Sequence, residues 1–205
     1  MQEIYILGAG GFAKEVYFLI TQIGGYDIRG FVDIKAGDPI KIGKTMVPVW
    51  GEADIADKKG AALAIGIGQP KIIKKLAAAF GEGFYFPNLI HPGVIIDEDN
   101  VTFGRGNILT ANVVFTTGIT VGSFNIFNLA TTVGHDVVIG DHNVFNPCVA
   151  ISGFVKIGDT NLIGVKATIL EGKTVGSQSI VGAAGLVLKD VPDNVTVVGV
   201  PAVIK

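Results

Sequence analysis

Every sixth residue from Phe103 to Val187 is aliphatic or phenylalanine: Phe103, Leu109, Phe115, Val121, Phe127, Val133, Ile139, Phe145, Ile151, Ile157, Ile163, Ile169, Val175, Val181 and Val187. The next residue is Gly at eight of these fifteen steps (104, 122, 134, 140, 158, 164, 176 and 182). Thr110, Thr116, Asn128, Asn146 and Ser152 hold five more. Gly and Asn suit turns that need a positive φ or a close backbone approach. A period of six is neither the helix period nor simple strand alternation. It is the hexapeptide signature of a parallel β-helix, expected from about residue 90 to 187. Three hexapeptides close one triangular coil whose aliphatic side chains point inward. Each coil pairs with the next at about 4.8 Å, so the middle of the stack has no free edge.

A second period of 18 runs through the same segment. Asn107, Asn125, Asn143 and Asn161, with Ser179 next, form one column. Stacked Asn side chains can hydrogen-bond along such a column. Val101, Ile119, Val137 and Val155 form another. A sandwich would show strand alternation and irregular turns instead.

The first ninety residues follow a different rule. Ile4-Tyr5-Ile6-Leu7 reads as a buried strand, then Gly8-Ala9-Gly10-Gly11-Phe12-Ala13 opens a helix with apolar Val16, Leu19, Ile20 and Ile23, ending at Gly24-Gly25. Arg29-Gly30-Phe31-Val32 is a second strand, closing on Asp33, and 62–68 a third. Pro70 suits the first turn of a helix running to about Phe80. This βαβ unit puts a glycine turn at a helix N-terminus and an acid after the second strand. Such a unit holds phosphate at the helix and a ribose or base at the carboxylate. A glycine turn also serves packing alone. The unit is short for a dinucleotide site, so a nucleotide-sugar suits it better. The expected architecture is a Rossmann-like α/β domain over 1–88, then an all-β left-handed parallel β-helix with a C-terminal cap over 89–205.

Composition narrows the function. Nearly half of the 205 residues are hydrophobic (49%), enough for a sizeable core. No run of about 18 apolar residues occurs, which argues against a membrane span. No basic stretch precedes an apolar core at Met1–Tyr5, so no signal peptide is expected. The single Cys148 makes no internal disulfide and fits a reducing compartment. These features predict a cytoplasmic protein. A net charge of −2 without a basic block makes nucleic acid an unsuitable partner.

The three histidines are His91, His135 and His142. His91 precedes Pro92 at the start of the repeat and reads as a junction residue. His135 follows the turn Val133-Gly134 and precedes Asp136. An acid holding one ring nitrogen makes the other a general base, although spacing alone fits a solvated His–Asp pair equally well. Eighteen residues on lies Gly153, whose N–H would face a developing oxyanion beside His135. Asn128 and Asn146, also 18 apart, are candidates for orienting a substrate. His142, after Gly140-Asp141, lies elsewhere on the coil and fits ordinary surface equally well. A zinc site shared between subunits needs a third histidine on the repeat, which the chain lacks. A purely structural or ice-binding β-helix needs neither the βαβ unit nor the histidine.

These features together resemble the hexapeptide sugar acetyltransferases of the NeuD/PglD type. The resemblance covers nearly the whole chain. It is carried by Ile6-Leu7-Gly8-Ala9-Gly10-Gly11, Phe31-Val32-Asp33, Ile65-Gly66-Ile67-Gly68, Leu89-Ile90-His91-Pro92, Asn128, Val133-Gly134-His135-Asp136 and Val198-Gly199-Val200-Pro201-Ala202. It implies a homotrimer with sites between neighbouring β-helices, acetyl-CoA as co-substrate and no metal. It implies His135 as base, Asp136 tuning it, Gly153 binding the thioester oxygen, and Val165 and Ala183 along the coenzyme A arm. It places Gly10, Gly11 and Phe12 at the phosphate or sugar, Asp33 at the base or ribose, and Gly68 at the base. Relatives often have His where this chain has Phe12, and many have a second His where Val144 stands. The second departure predicts a lost or moved donor contact.

The expected activity is therefore acyl transfer from acetyl-CoA to a 4-amino group on a nucleotide-linked deoxysugar, for surface glycan synthesis. The alternatives are O-acetylation of a sugar hydroxyl, such as on sialic acid, and a catalytically silent nucleotide-sugar-binding trimer.

Overall fold

The computed structural model covers residues 1–205. Five strands, β1 (Gln2–Leu7), β2 (Tyr26–Asp33), β3 (Gly37–Ile42), β4 (Thr45–Gly51) and β5 (Ala62–Ile65), form one sheet in the order β3-β4-β2-β1-β5. All neighbours are parallel except the β3–β4 hairpin. α1 (Gly11–Ile23) follows β1, and α2 (Pro70–Phe80) follows β5. The interior strand β1 buries four consecutive apolar residues, Ile4 to Leu7, as a parallel strand covered on both faces does. α1 buries Ala13, Val16, Leu19 and Ile20 on one stripe and stops at Gly24 with φ 72°. The sequence pattern predicts three strands here, and the structure has five. The β3–β4 hairpin lies at the sheet edge and is mostly exposed, so it carries little hydrophobic periodicity.

From Leu89 onward the chain winds in coils of mostly two-residue strands, and these stack into three parallel sheets. Phe127 pairs with Phe145, Val133 with Ile151 and Ile139 with Ile157, each 18 residues apart. Fourteen of the fifteen residues in the six-residue series are buried, and Phe103 is half-buried. Phe103, Phe115, Phe127 and Phe145 run as a chain of ring contacts with centroids 4.7–5.2 Å apart inside the prism.

The strict period ends at both limits of that series. Ile90 pairs with Leu109 and Ile96 with Phe115, a spacing of 19, because one extra residue lies between Ile96 and Phe103. At the far end Val181 pairs with Val197, a spacing of 16. The final strand, Val203–Ile204, folds back antiparallel on Val197–Val198 and covers part of the last free edge.

The Asn column forms as its spacing predicts. The Asn125 N–H and Nδ2 donate to Asn107 Oδ1, those of Asn143 to Asn125 Oδ1, and the Ser179 N–H to Asn161 Oδ1. The column also reaches one coil further back than the 18-residue count finds, because Asn107 donates to Asn88 Oδ1 across the 19-residue coil.

One expectation about the turns is corrected. The glycines after the aliphatic residues do not carry the positive φ. That conformation falls two residues later, on twelve non-glycine residues such as Phe124, Asp136, His142, Phe154 and Thr160. The glycines answer the other requirement, close approach: a Cβ on Gly134 would lie 2.8 Å from the Gly153 nitrogen in the next coil. Left-handed conformations are costly for L-residues. They persist because each turn is hydrogen-bonded to the turn before it, as when the Phe154 N–H donates to the His135 carbonyl at 2.9 Å.

The outer face of one sheet carries Ile108, Ile126 and Val144, all buried in the same cluster as the β1–β5 sheet and its helices. The N-terminal unit thus sits on this face. Val144 is 1% exposed, a packing residue beneath that unit.

His142 is not plain surface. Its ring stacks on Phe124 at 5.7 Å, with planes within 2°. Burial holds its pKa below the usual histidine value, and Lys74 adds to this against the opposing pull of Asp141 and Asp159. Below about pH 6.5 the unfolded chain takes up a proton that the folded chain resists. Stability is therefore expected to be full above that pH and to decline as pH falls through it. Denaturation midpoints across this range should show the decline, and His142→Asn should flatten it.

Candidate active site

His135 and Asp136 occupy a turn on one edge of the prism. The His135 Nδ1 lies 2.9 Å from Asp136 Oδ2, and both side chains are about half exposed (48% and 53%). With Nδ1–H donating to the carboxylate, Nε2 carries the lone pair and is left without a partner in the chain, free to accept a proton. Asp136 can hold this position because Asp tolerates the left-handed conformation (φ 57°). Beneath the imidazole lies Gly153, one coil on. A Cβ there would fall 2.6 Å from His135 Cε1 and 2.7 Å from Nε2.

The Gly153 N–H donates to no group of the chain, whereas corresponding N–H groups on another edge are taken up by Asp141 and Asp159 side chains. A free N–H beside a base is the arrangement that stabilises an oxyanion during acyl transfer. The contact predicts that Gly153→Ala displaces the imidazole and lowers turnover by about 10–100-fold. The melting temperature should change little, because Gly153 is not in the left-handed region. Paired turnover and melting measurements check this.

The other proposed site residues fall in two further places. Asn128, Asn146, Val165 and Ala183 lie along the neighbouring edge, not beside His135. Asn146 Nδ2 is used internally, donating to the Ile163 carbonyl at 3.0 Å. The Asn128 side-chain amide has no partner in the chain although the residue is buried, and it is the freer of the pair to meet a substrate. The Val165 and Ala183 N–H groups likewise donate to nothing. His91 is tied into the junction, its Nδ1 accepting from the Gly93 N–H at 2.9 Å.

In the N-terminal unit a cavity of about 430 Å³ opens at the carboxyl ends of β1 and β2. This is where ligands bind in open α/β sheets. Asp33 lines it, with Oδ1 oriented by the Ile34 N–H at 2.8 Å. Gly10, Gly11 and Gly68 do not line it, and a Cβ on any of them would meet nothing within 4 Å, which leaves backbone open to a ligand. Phe12 packs part-buried on the core of the unit. The glycine that the fold demands here is Gly8, with φ 103° and Ile67 crowding its missing side chain at 2.7 Å.

Sequence reading missed two cavity residues of opposite charge, Glu52 and Lys75. Glu52 follows Gly51, the register partner of Asp33, and could be found only by pairing the unpredicted strand β4 with β2. No cluster of three or more His, Cys, Asp or Glu comes together that could hold a metal ion. No helix is long and apolar enough to cross a membrane.

Residues 3–80 match the family described as the PglD N-terminal domain. Curated protein sequences give no match. Among solved structures, the chain is similar to PerB from Caulobacter crescentus in complex with CoA and GDP-perosamine, at 31% identity and a TM-score of 0.90, over 100% of this chain and 98% of that one. It is similar to WeeI from Acinetobacter baumannii, at 31% identity and 0.87, over all of both chains. It is also similar to the acetyltransferase domain of PglB from Neisseria gonorrhoeae in complex with acetyl coenzyme A, at 27% identity and 0.90, over 100% and 99%. Two of these likenesses, to PerB and WeeI, reach 30% identity over nearly the full length of both chains. The chain therefore belongs to the NeuD/PglD-type family of hexapeptide-repeat sugar N-acetyltransferases.

Proposed function

We propose that this chain transfers an acetyl group from acetyl-CoA to the 4-amino group of a nucleotide-linked deoxysugar, a step in surface glycan synthesis. The observation that carries this is His135, fixed on Asp136 with Nε2 free, over the unpaired N–H of Gly153. The acceptor amine attacks the thioester carbon, and its proton passes to His135 Nε2. The developing oxyanion takes the Gly153 N–H. Collapse of the intermediate breaks the carbon–sulfur bond, and the proton on His135 goes to the departing coenzyme A thiolate. Residues 1–88 supply the nucleotide-sugar cavity, with Asp33 at the ribose or base, and residues 89–205 supply the acyl-transfer edge.

The assembly we infer is a homotrimer. His135 and Gly153 stand on one edge of the prism, while Asn128, Val165 and Ala183 stand on the next. A donor lying along one edge reaches a base on the other when copies pack edge to edge, which threefold symmetry supplies. Supply of acetyl-CoA and nucleotide sugars places the reaction in the cytoplasm.

An acceptor screen tests the reading. UDP-, GDP- and dTDP-linked amino sugars and their hydroxyl counterparts are each mixed with enzyme and acetyl-CoA, and thiol release is followed. Release with an amino sugar and none with its hydroxyl counterpart is expected. Release only with the hydroxyl sugars overturns N-acylation, and no release with any acceptor overturns the enzyme assignment.

A further inference from the structure

We propose that Phe154 is a positioning residue for His135. Its ring walls the imidazole so that Nδ1 stays on Asp136, the ring plane stays on Gly153, and Nε2 points at the substrate. This rests on the reading of His135 as the base.

The argument begins with what the turn tolerates. On this edge of the prism the left-handed position of successive coils is held by Gly118 (φ 69°), Asp136 (57°), Phe154 (58°) and Gly172 (69°). Gly takes that conformation freely and Asp takes it readily. A bulky aromatic takes it only against steric resistance. Within the chain Phe154 is 53% exposed and belongs to neither apolar core. Its one aromatic contact is His135, with ring centroids 5.0 Å apart and planes at 86°. The backbone joins the same two residues, the Phe154 N–H donating to the His135 carbonyl at 2.9 Å. Every turn of the prism takes this conformation, so it is the edge-on meeting of the Phe154 ring with the imidazole, and not the φ, that points to a role beside the base.

The chemistry needs such a wall. A single hydrogen bond from Nδ1 to Asp136 is a pivot about which the imidazole can swing. Gly153 blocks one direction only, since it has no side chain. Proton transfer demands that Nε2 meet the amine within hydrogen-bond reach, and small misplacements are costly. Phe154 closes the remaining direction at right angles to the imidazole plane.

The test compares Phe154→Gly, Phe154→Tyr, His135→Ala and the double variant His135→Ala with Phe154→Gly, each measured for kcat, for KM toward acetyl-CoA and for melting temperature. Phe154→Gly should melt higher than the parent, because it relieves the left-handed strain. Its kcat should fall about tenfold or more while KM changes little, because proton transfer and not donor binding is impaired. Phe154→Tyr keeps the wall and should keep most of the turnover. Adding Phe154→Gly to His135→Ala should cost nothing further. A purely structural Phe154 would instead lower melting temperature and activity together. Unchanged kcat in Phe154→Gly beside a silent His135→Ala overturns this role alone. Near-normal turnover in His135→Ala overturns the base assignment and this role with it.

Discussion

Replacing His135 with alanine should lower turnover by about 10²–10⁴-fold, the range that general-base catalysis contributes. The structure lets this loss be read as chemistry. The His135 side chain is about half exposed, and its one side-chain hydrogen bond runs to the equally exposed Asp136. Its removal therefore leaves no buried polar group unpaired and opens no cavity in the prism. The backbone contact that ties this turn to the next, from the Phe154 N–H to the His135 carbonyl, survives the change. Melting temperature and assembly should match the parent. Residual activity is expected from the Gly153 N–H and from the binding of both substrates, which alone hold the reactants together. Thiol release at saturating acetyl-CoA measures the effect. Retention of more than about a tenth of the parent turnover would overturn the assignment, since a general base contributes more than that.

The second large effect falls on stability. Asn125→Ala should destabilise the fold by about 3 kcal/mol, because each buried group left unsatisfied costs roughly 1–3 kcal/mol. Asn125 sits in the middle of the Asn column and is completely buried. Its Oδ1 accepts from both the N–H and the Nδ2 of Asn143, at 2.9 and 3.0 Å. Its Nδ2 donates to the Gly140 carbonyl at 2.9 Å and to Asn107 Oδ1 at 3.1 Å. Alanine supplies none of these, so Asn143 loses its acceptor and Gly140 its donor, in a place water does not reach. Denaturant unfolding followed by far-UV circular dichroism measures the loss. A change under about 0.5 kcal/mol, the size usual for surface substitutions, would mean the column adds no more than a solvated side chain would.

Much of the fold was legible because a solenoid repeats one local rule. An inward aliphatic at each sixth residue and a column at each eighteenth are one-dimensional consequences of stacking, and counting recovers them. The same count put Gly153 next to His135, and in the structure a Cβ added to Gly153 would lie 2.7 Å from the imidazole Nε2. The count failed where coil length changed, at the 19-residue first coil and the 16-residue last one. A one-residue insertion leaves no mark on hydrophobicity until the next coil is found to pair out of step.

The cavity of the N-terminal unit was read less completely, and for another reason. Asp33 was visible as an acid closing a strand. Glu52, just after β4, and Lys75, on α2, reach the cavity from segments distant in sequence. Nothing local in a half-exposed strand such as β4 announces its partner.

The chain by itself determined the β-helix, the βαβ unit, the Asn column and the pairing of His135 with Asp136 and Gly153, since each depends on spacing along a repeat or within one short segment. Tertiary structure alone decided the rest. It put the positive φ on Phe154 and its counterparts, not on the glycines, because coil-to-coil hydrogen bonds can hold a conformation that local preference resists. It turned Val144 into packing beneath the N-terminal unit, because one outer face of the prism is covered and the others are not.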